Sequence, residues 1–103
     1  MTDSEFHFLA DECFDQIEQA VEQLDLDIDI HRTGSLLSFE ITPTIEIIMN
    51  KQEPLHQIWL ASKLGGHHFS LVENHWFDER NQVAFNDCIQ QVFRTLTERA
   101  LPL

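Results

Sequence analysis

Carboxylates between residues 11 and 29 are the densest concentration of reactive side chains in this chain. Eight Asp and Glu residues occur in that stretch, with no Lys or Arg among them. Five of them recur every three or four residues, which places them in one stripe roughly 80° wide on an α-helix. These five are Asp11, Asp15, Glu18, Glu22 and Asp25. Neighbours at this spacing have Cβ atoms about 5–6 Å apart, so two carboxylates can share one hydrated cation.

The predicted ligands are oxygen atoms at an exposed surface. Such ligands suit hard cations, and the affinity should be modest because the chain offers no cage of six or more protein oxygens and no thiolate here. Asp27 and Asp29 continue the acidic surface, since they alternate with isoleucines at the period of a strand. His7, about 40° from Asp11 around the helix, and His31 are second-rank ligands that would extend the site.

A solvated helical face is the alternative to a binding surface. Like charges at helical spacing cost roughly 0.2–0.5 kcal/mol per pair, so the stripe does not stabilise the helix, and we expect something outside the chain to use it. If the stripe repels itself, then salt, divalent cations and the substitutions Asp15→Asn and Glu22→Gln should each raise the melting temperature.

The overall charge narrows the class of partner. Eighteen acidic residues against six basic ones give a formal net charge of −12, which argues against DNA or RNA because a phosphate backbone would be repelled. Cations or a basic protein surface fit this charge. No signal peptide is evident, and no apolar run approaches the roughly 20 residues that a membrane span needs. We therefore expect a single domain over residues 1–103, located in the cytoplasm and without a membrane partner.

Two amphipathic helices are predicted to flank a series of short strands. Thr2 and Glu5 have the spacing of a capping box, so the first helix should begin here. A second helix should begin at about Gln82, where apolar residues again recur at threes and fours. Cys13 and Cys88 both lie on apolar helix faces and are expected to be buried thiols rather than a disulfide or a metal pair. Six strands are predicted, over roughly 27–31, 37–41, 45–50, 57–62, 67–72 and 75–78.

Short turns between these strands determine the predicted fold. Strands joined by two to five residues must be mostly antiparallel, because parallel neighbours need a crossover of a dozen residues or more. The prediction is an α+β fold, a two-layer α/β sandwich of order α-β-β-β-β-β-β-α with both helices packed on one face of the sheet.

Trp59 is predicted to lie on the open face of that sheet. If Ile58 and Leu60 lie beneath the helices, strand alternation turns Trp59 outward, near Asn50 and Gln52. An exposed Trp among amide side chains is typical of a protein interface. The alternative is that Trp59 is a core residue and the face assignment is reversed.

The remaining histidines give a weak signal. His67 and His68 are adjacent on a strand, so their side chains leave on opposite faces and cannot easily bind one ion. No partner is evident for His56 or His75. We expect ordinary surface or half-buried histidines at all four positions.

The segment from Asn50 to Ser62, NKQEPLHQIWLAS, resembles the frataxin family, in particular its bacterial members. The acidic first helix and first strand, the order of elements, DSEFH at residues 3–7 and GGHHF at residues 65–69 extend the resemblance over nearly the whole chain. The chain departs from close bacterial relatives where it has Gln19, Gln23 and His31 in place of further acids. The smaller number of carboxylates affects how many metal ions the stripe can hold rather than whether it binds metal.

The resemblance implies an iron-binding regulator or iron donor in iron–sulfur cluster assembly. Fe²⁺ or Fe³⁺ would bind weakly at the acidic stripe, where other divalent cations can substitute, and the chain is expected to be a monomer without metal. Iron selectivity comes from the resemblance alone. The resemblance also implies two protein partners, the cysteine desulfurase at the stripe and the scaffold protein at the sheet. The corresponding contact residues are Glu18, Glu22 and Asp25 for the first and Asn50, Gln52 and Trp59 for the second.

Two other functions stay open at this point. A ferroxidase or iron-storage protein would use the same carboxylates, but a ferroxidase site normally fixes two metals with buried carboxylates, often at Glu-x-x-His spacing on paired helices, and neither helix has this. An acidic decoy of nucleic-acid-binding proteins would need neither Trp59 nor a metal. No nucleophile motif, phosphate-binding glycine loop or zinc spacing is present, so we expect a binding protein rather than an enzyme.

Overall fold

A computed structural model describes residues 1–103 and contains two α-helices and seven strands. The helices are α1, Asp3–Glu22, and α2, Phe85–Thr97. The strands are β1 (Asp29–Arg32), β2 (Leu36–Thr42), β3 (Ile45–Gln52), β4 (Gln57–Ser62), β5 (Gly65–Val72), β6 (His75–Asp78) and β7 (Val83–Ala84). A 3₁₀ turn, Glu53–Leu55, separates β3 from β4. The predicted α+β sandwich is confirmed, with one correction: a seventh strand precedes α2, which therefore begins at Phe85 rather than near Gln82.

The predicted capping box fixes the start of α1. The Glu5 N–H donates to Thr2 Oγ1 at 3.1 Å, and the Thr2 N–H donates to Glu5 Oε1 at 3.0 Å. The hydrogen bond from the Thr2 backbone is the main reason that the pKa of the Glu5 carboxyl is lowered. Gln23 caps the other end of α1, so the helix stops before Asp25.

The seven strands form one antiparallel sheet in which each strand pairs with its neighbours in sequence. The turn between β5 and β6 shows how this order is achieved. Glu73 and Asn74 both have positive φ, 51° and 67°, which is the conformation of a type I′ hairpin turn and matches the twist of the paired strands. Strands β1 and β7 form the two edges of the sheet.

Both helices cover one face of the sheet, which we call the inner face. Phe39 of β2 packs edge-on against Phe93 of α2 at 5.5 Å between ring centroids, and Phe69 of β5 packs against Phe85 at 5.1 Å. The core comprises 21 buried apolar residues. The opposite face, the outer face, has no helix packed against it. Neither helix is both long and apolar enough to cross a membrane.

The two cysteines are free, buried thiols, as predicted. Burial raises the pKa of Cys13 to about 12. Burial, together with the negative charge of Asp78, raises the pKa of Cys88 to about 11. Both thiols therefore stay protonated at neutral pH, and both side chains are part of the buried core.

Candidate functional site

Six of the seven predicted carboxylate ligands, all except Asp29, lie on α1 or in the loop that follows it, and we call these six the acidic ridge. Asp11, Asp15, Glu18 and Glu22 lie on α1, and Asp25, Asp27 and Asp29 follow the helix. The prediction that Asp25 belongs to the helix and Asp27 to the first strand is wrong, because α1 ends at Glu22 and β1 begins at Asp29. Asp25 and Asp27 lie in the intervening loop, where both are exposed.

Arg32 lies in the middle of the acidic ridge. Its Nη1 donates to Asp15 Oδ1 at 2.6 Å and to Glu18 Oε1 at 2.9 Å, and its Nη2 is 3.8 Å from Asp11 Oδ1. Partial burial acts to lower the pKa of Arg32, but the hydrogen bonds to Glu18 and Asp15 outweigh it, and the pKa is raised. The guanidinium therefore stays protonated and places a positive charge among three of the predicted ligands.

Lys51 of β3 neutralises Asp11, in the same part of the ridge, from the inner face of the sheet. Its Nζ lies 2.5 Å from Asp11 Oδ1 and 3.5 Å from His7 Nδ1. Only 4% of the side chain is exposed, and the ammonium lies 5.7 Å from the ring centroid of Phe14. Our expectation of an unbalanced stripe is thus wrong for Asp11, Asp15 and Glu18.

Strand alternation is the signal that would have revealed both basic residues. Arg32 pairs with Leu37, and Lys51 pairs with Ile58. Because Leu37 and Ile58 are fully buried and paired residues share a face, both basic side chains lie on the inner face, beneath α1. Counting charges along the sequence between residues 11 and 29 could not show this.

Asp29 and His31 do not continue the ridge as predicted. They pair with Glu40 and Ser38 on β2, whereas Ile30, between them, pairs with the buried Phe39. Strand alternation therefore turns Asp29 and His31 to the outer face, away from α1. His31 does not extend a metal site on the helix.

The 3₁₀ turn after β3 pairs with the first turns of α1 through histidines. His7 Nε2 lies 2.5 Å from Glu53 Oε2, and His56 Nε2 lies 2.7 Å from Asp3 Oδ1. The His56 ring also stacks on Phe6 at 5.2 Å between centroids. His7 thus faces Glu53 and Lys51 rather than the open ridge, and our expectation that His56 lacks a partner is wrong.

The ridge contains no multidentate metal site, and its two ends differ in their basic partners. No group of three or more His, Cys, Asp or Glu side chains is arranged to hold one metal ion. Glu22, Asp25 and Asp27 are exposed, and none of them has a salt bridge to a basic side chain. We call these three residues the open end of the ridge, and Asp11, Asp15 and Glu18 its neutralised end.

Trp59 lies on the outer face, as predicted. Its neighbours Ile58 and Leu60 are at most 1% exposed, so they face the helices and Trp59 faces away from them. Across the sheet, Trp59 pairs with Asn50 on β3 and with His68 on β5. The predicted cluster of Trp and amide side chains therefore exists on one open surface.

Two contacts fix the orientation of the indole. Trp59 Nε1 donates to Gln57 Oε1 at 2.9 Å, and the indole stacks on the His68 ring at 4.0 Å and an interplanar angle of 8°. Gln57 in turn donates from Nε2 to Ser70 Oγ at 3.1 Å. A polar depression of about 500 Å³ adjoins this cluster. Its lining includes Gln57, His68, Ser70, Glu79, Arg80 and Asn81.

His67 and His68 lie on opposite faces of β5, as predicted. Whereas His68 stacks on Trp59, His67 Nδ1 lies 3.0 Å from Asp78 Oδ2 on the inner face. Asp78 is 1% exposed and also accepts hydrogen bonds from the Asn81 backbone N–H, at 3.0 Å, and from Asn81 Nδ2, at 2.7 Å. His67 is therefore part of a structural hydrogen-bond network.

Comparison with known protein families gives a match over almost the whole chain. The model of the frataxin-like domain matches residues 1–99. The chain belongs to the frataxin family. The iron-sulfur cluster assembly protein CyaY of Shewanella sp. (strain W3-18-1) is 47% identical over 94 residues, which cover 87% of this chain and 86% of that protein. The protein of the same name from Shewanella baltica (strain OS155 / ATCC BAA-1091) is 45% identical over 95 residues, 88% of this chain and 87% of the relative.

Solved frataxin structures have the same fold. The frataxin of Psychromonas ingrahamii superposes with a TM-score of 0.89 at 35% identity, covering 98% of this chain and 96% of that one. The trimeric frataxin of the yeast Saccharomyces cerevisiae complexed with ferrous iron superposes with a TM-score of 0.76 at 27% identity. That match covers 88% of this chain and 87% of the yeast chain.

Proposed function

We propose that this frataxin is an iron-binding regulator or iron donor of iron–sulfur cluster assembly. The Shewanella relatives are iron–sulfur cluster assembly proteins, and a yeast frataxin forms a complex with ferrous iron. The structural observation that supports the proposal best is the open end of the acidic ridge, where Glu22, Asp25 and Asp27 are exposed and lack basic partners. Iron is the cargo of this protein rather than a resident cofactor.

The ligand chemistry is consistent with transient iron binding. One or two exposed carboxylates leave most of the coordination sphere of a cation to water, so affinity is low and release is fast. A carrier that hands iron to a scaffold protein needs such release. Other hard divalent cations would bind at the same carboxylates, because oxygen ligands discriminate poorly among them.

The open end of the ridge is also the proposed docking surface for the cysteine desulfurase. A negative patch steers a basic protein surface towards it, and the association rate falls as salt rises. Of the three predicted contact residues, Glu22 and Asp25 are free of basic partners, whereas Glu18 pairs with Arg32. Iron and the desulfurase would therefore compete for, or be coupled through, one surface.

The outer face is the proposed contact for the scaffold protein. The indole of Trp59 is held by Gln57 and His68, so little side-chain entropy is lost when a partner covers it. Aromatic anchors of this kind dominate the energetics of protein interfaces. Asn50 and Gln52, which hydrogen-bond to each other at 3.4 Å, supply polar groups beside it.

A charge-reversal variant tests the desulfurase contact. Glu22→Lys/Asp25→Lys should weaken desulfurase binding at least about tenfold, roughly 1.4 kcal/mol, in a calorimetric titration at low salt. Neither carboxylate is in a salt bridge, so the fold should persist, which circular dichroism would check.

Glu73→Lys/Glu98→Lys is the matched control, because it makes the same change in net charge at two exposed positions outside the ridge. This control should retain most of the affinity. Equal affinities for the two double variants would show that the ridge is not the docking surface.

A further inference from the structure

We propose that Arg32 is an internal competitor that controls the access of cations to the acidic ridge. This inference rests on the proposed function, since it concerns the regulation of the same surface. Arg32 places a guanidinium nitrogen 2.6 Å from Asp15 Oδ1 and 2.9 Å from Glu18 Oε1. A cation bound to the same two carboxylates would lie beside the guanidinium, so the two positive charges repel each other and compete for Asp15 and Glu18.

The position of Arg32 in the fold allows its side chain to leave. Arg32 is the last residue of β1, a four-residue strand at the edge of the sheet that pairs only with β2. Its side chain remains 30% exposed. Displacement of the guanidinium therefore costs its ion pairs and its contact with the Phe14 ring, whose centroid lies 5.8 Å from Cζ.

Lys51 differs from Arg32 in this respect. Its side chain is only 4% exposed, and it originates from β3, which pairs on both sides. A cation cannot displace a buried ammonium without leaving that charge unpaired in the interior, which is strongly unfavourable. Lys51 is thus a permanent counter-ion of Asp11, and Arg32 is the displaceable one.

The ridge therefore has two ends with different cation affinities. At the open end, Glu22, Asp25 and Asp27 have no internal competitor, so a cation or a basic partner binds there first. At the neutralised end, Asp15 and Glu18 accept a cation only when its concentration is high enough to displace Arg32.

Calcium provides a direct test, because Ca²⁺ binds carboxylate oxygen atoms and is diamagnetic, so it changes the ¹³C chemical shift of a side-chain carboxylate chiefly when it binds there. The measurement compares the wild type, Arg32→Gln and Lys63→Gln in protein labelled with ¹³C and ¹⁵N at low salt. Lys63 is exposed in the turn between β4 and β5 and has no salt bridge, so Lys63→Gln makes the same change in net charge without opening the ridge. The dispersion of the amide spectrum shows whether each variant is folded.

The carboxylate ¹³C signals of Asp15 and Glu18 should shift in Arg32→Gln at about tenfold lower Ca²⁺ than in the wild type, a ratio that corresponds to roughly 1.4 kcal/mol. Lys63→Gln should stay within about twofold of the wild type, as expected for a distant charge. Equal shifts of these two signals in Arg32→Gln and Lys63→Gln would overturn the role of Arg32, and shifts at Glu22, Asp25 and Asp27 in all three proteins would still support the proposed function. No shift along the ridge in any of the three would overturn both.

Discussion

Two basic side chains decide how the carboxylates of α1 behave. Arg32 and Lys51 neutralise the end of the ridge nearest the helix N-terminus, so the stripe is not uniformly costly to the fold. The helical spacing of the carboxylates could be predicted from the sequence, because it depends only on the period of an α-helix. Their partners were missed, because the predicted strands ended at His31 and Asn50, one residue before Arg32 and Lys51.

Because Arg32 pairs with Asp15, the two substitutions on α1 that were both expected from the sequence to raise the melting temperature should instead change stability in opposite directions. Asp15→Asn removes an ion pair with Arg32 and should destabilise the fold by about 0.5–1 kcal/mol, a few degrees in melting temperature for a domain of this size. Glu22→Gln removes only repulsion and should stabilise by a few tenths of a kcal/mol. Thermal unfolding at low salt, followed by circular dichroism, measures both. A rise in melting temperature for both variants would mean that Arg32 does not pair with the ridge in solution.

At the scale of elements, the link between β6 and α2 depends on one buried carboxylate. Asp78, the last residue of β6, accepts three hydrogen bonds, from His67 on β5 and from two groups of Asn81. The strands were predictable where apolar and polar residues alternate over four or more positions, and the helices where apolar residues recur every three or four positions. The two-residue β7 has no such pattern, and the Asp78–Asn81 link depends on how β5, β6 and the following loop meet in space.

Asp78 should make stability dependent on pH in the acid range. Burial acts to raise the pKa of Asp78, but the hydrogen bonds from Asn81 and His67 outweigh it, so the pKa lies below the ordinary value of 3.8. A carboxyl whose pKa is lowered by folding stabilises the fold above its ordinary pKa. That contribution is lost as the pH falls through the lowered value.

Asp78→Asn removes this contribution and places an amide NH₂ group opposite the hydrogen-bond donors of Asn81 and His67. The variant should be less stable at neutral pH by about 1–3 kcal/mol, and its melting temperature should fall less steeply than that of the wild type below about pH 4. Glu73→Gln, at an exposed carboxyl, should follow the wild-type curve. Parallel curves for the wild type and Asp78→Asn would exclude Asp78 as a source of acid sensitivity.

At the scale of the whole molecule, charge is the property that the fold distributes unevenly. The chain has a formal charge of −12, and two of its six Lys and Arg residues, Arg32 and Lys51, form ion pairs with carboxylates of α1. Sequence patterns were sufficient for the layers of the sandwich and for the outward position of Trp59. They were insufficient for Asp29 and His31, because the face of an edge strand depends on its pairing with β2.

Salt should stabilise this protein. Raising ionic strength from about 0.01 M to 0.1 M shortens the Debye length from about 30 Å to about 10 Å, which weakens the repulsion among the surplus carboxylates, and the melting temperature should rise by several degrees. Glu22→Lys/Asp25→Lys, which changes the formal net charge from −12 to −8, should show a smaller rise. A melting temperature that does not change with salt would show that net repulsion is negligible.

Reconstituted cluster assembly tests the central claim most directly. The rate of cluster formation on the scaffold protein would be measured with the cysteine desulfurase, cysteine and ferrous iron, in the presence and absence of this frataxin. We predict that the wild type and Glu73→Lys/Glu98→Lys change the rate, and that Glu22→Lys/Asp25→Lys and Trp59→Ala, each correctly folded, change it much less at the same concentration. A rate that is the same with and without the wild-type protein, or the same for all four proteins, would contradict the proposed function of the ridge and the sheet.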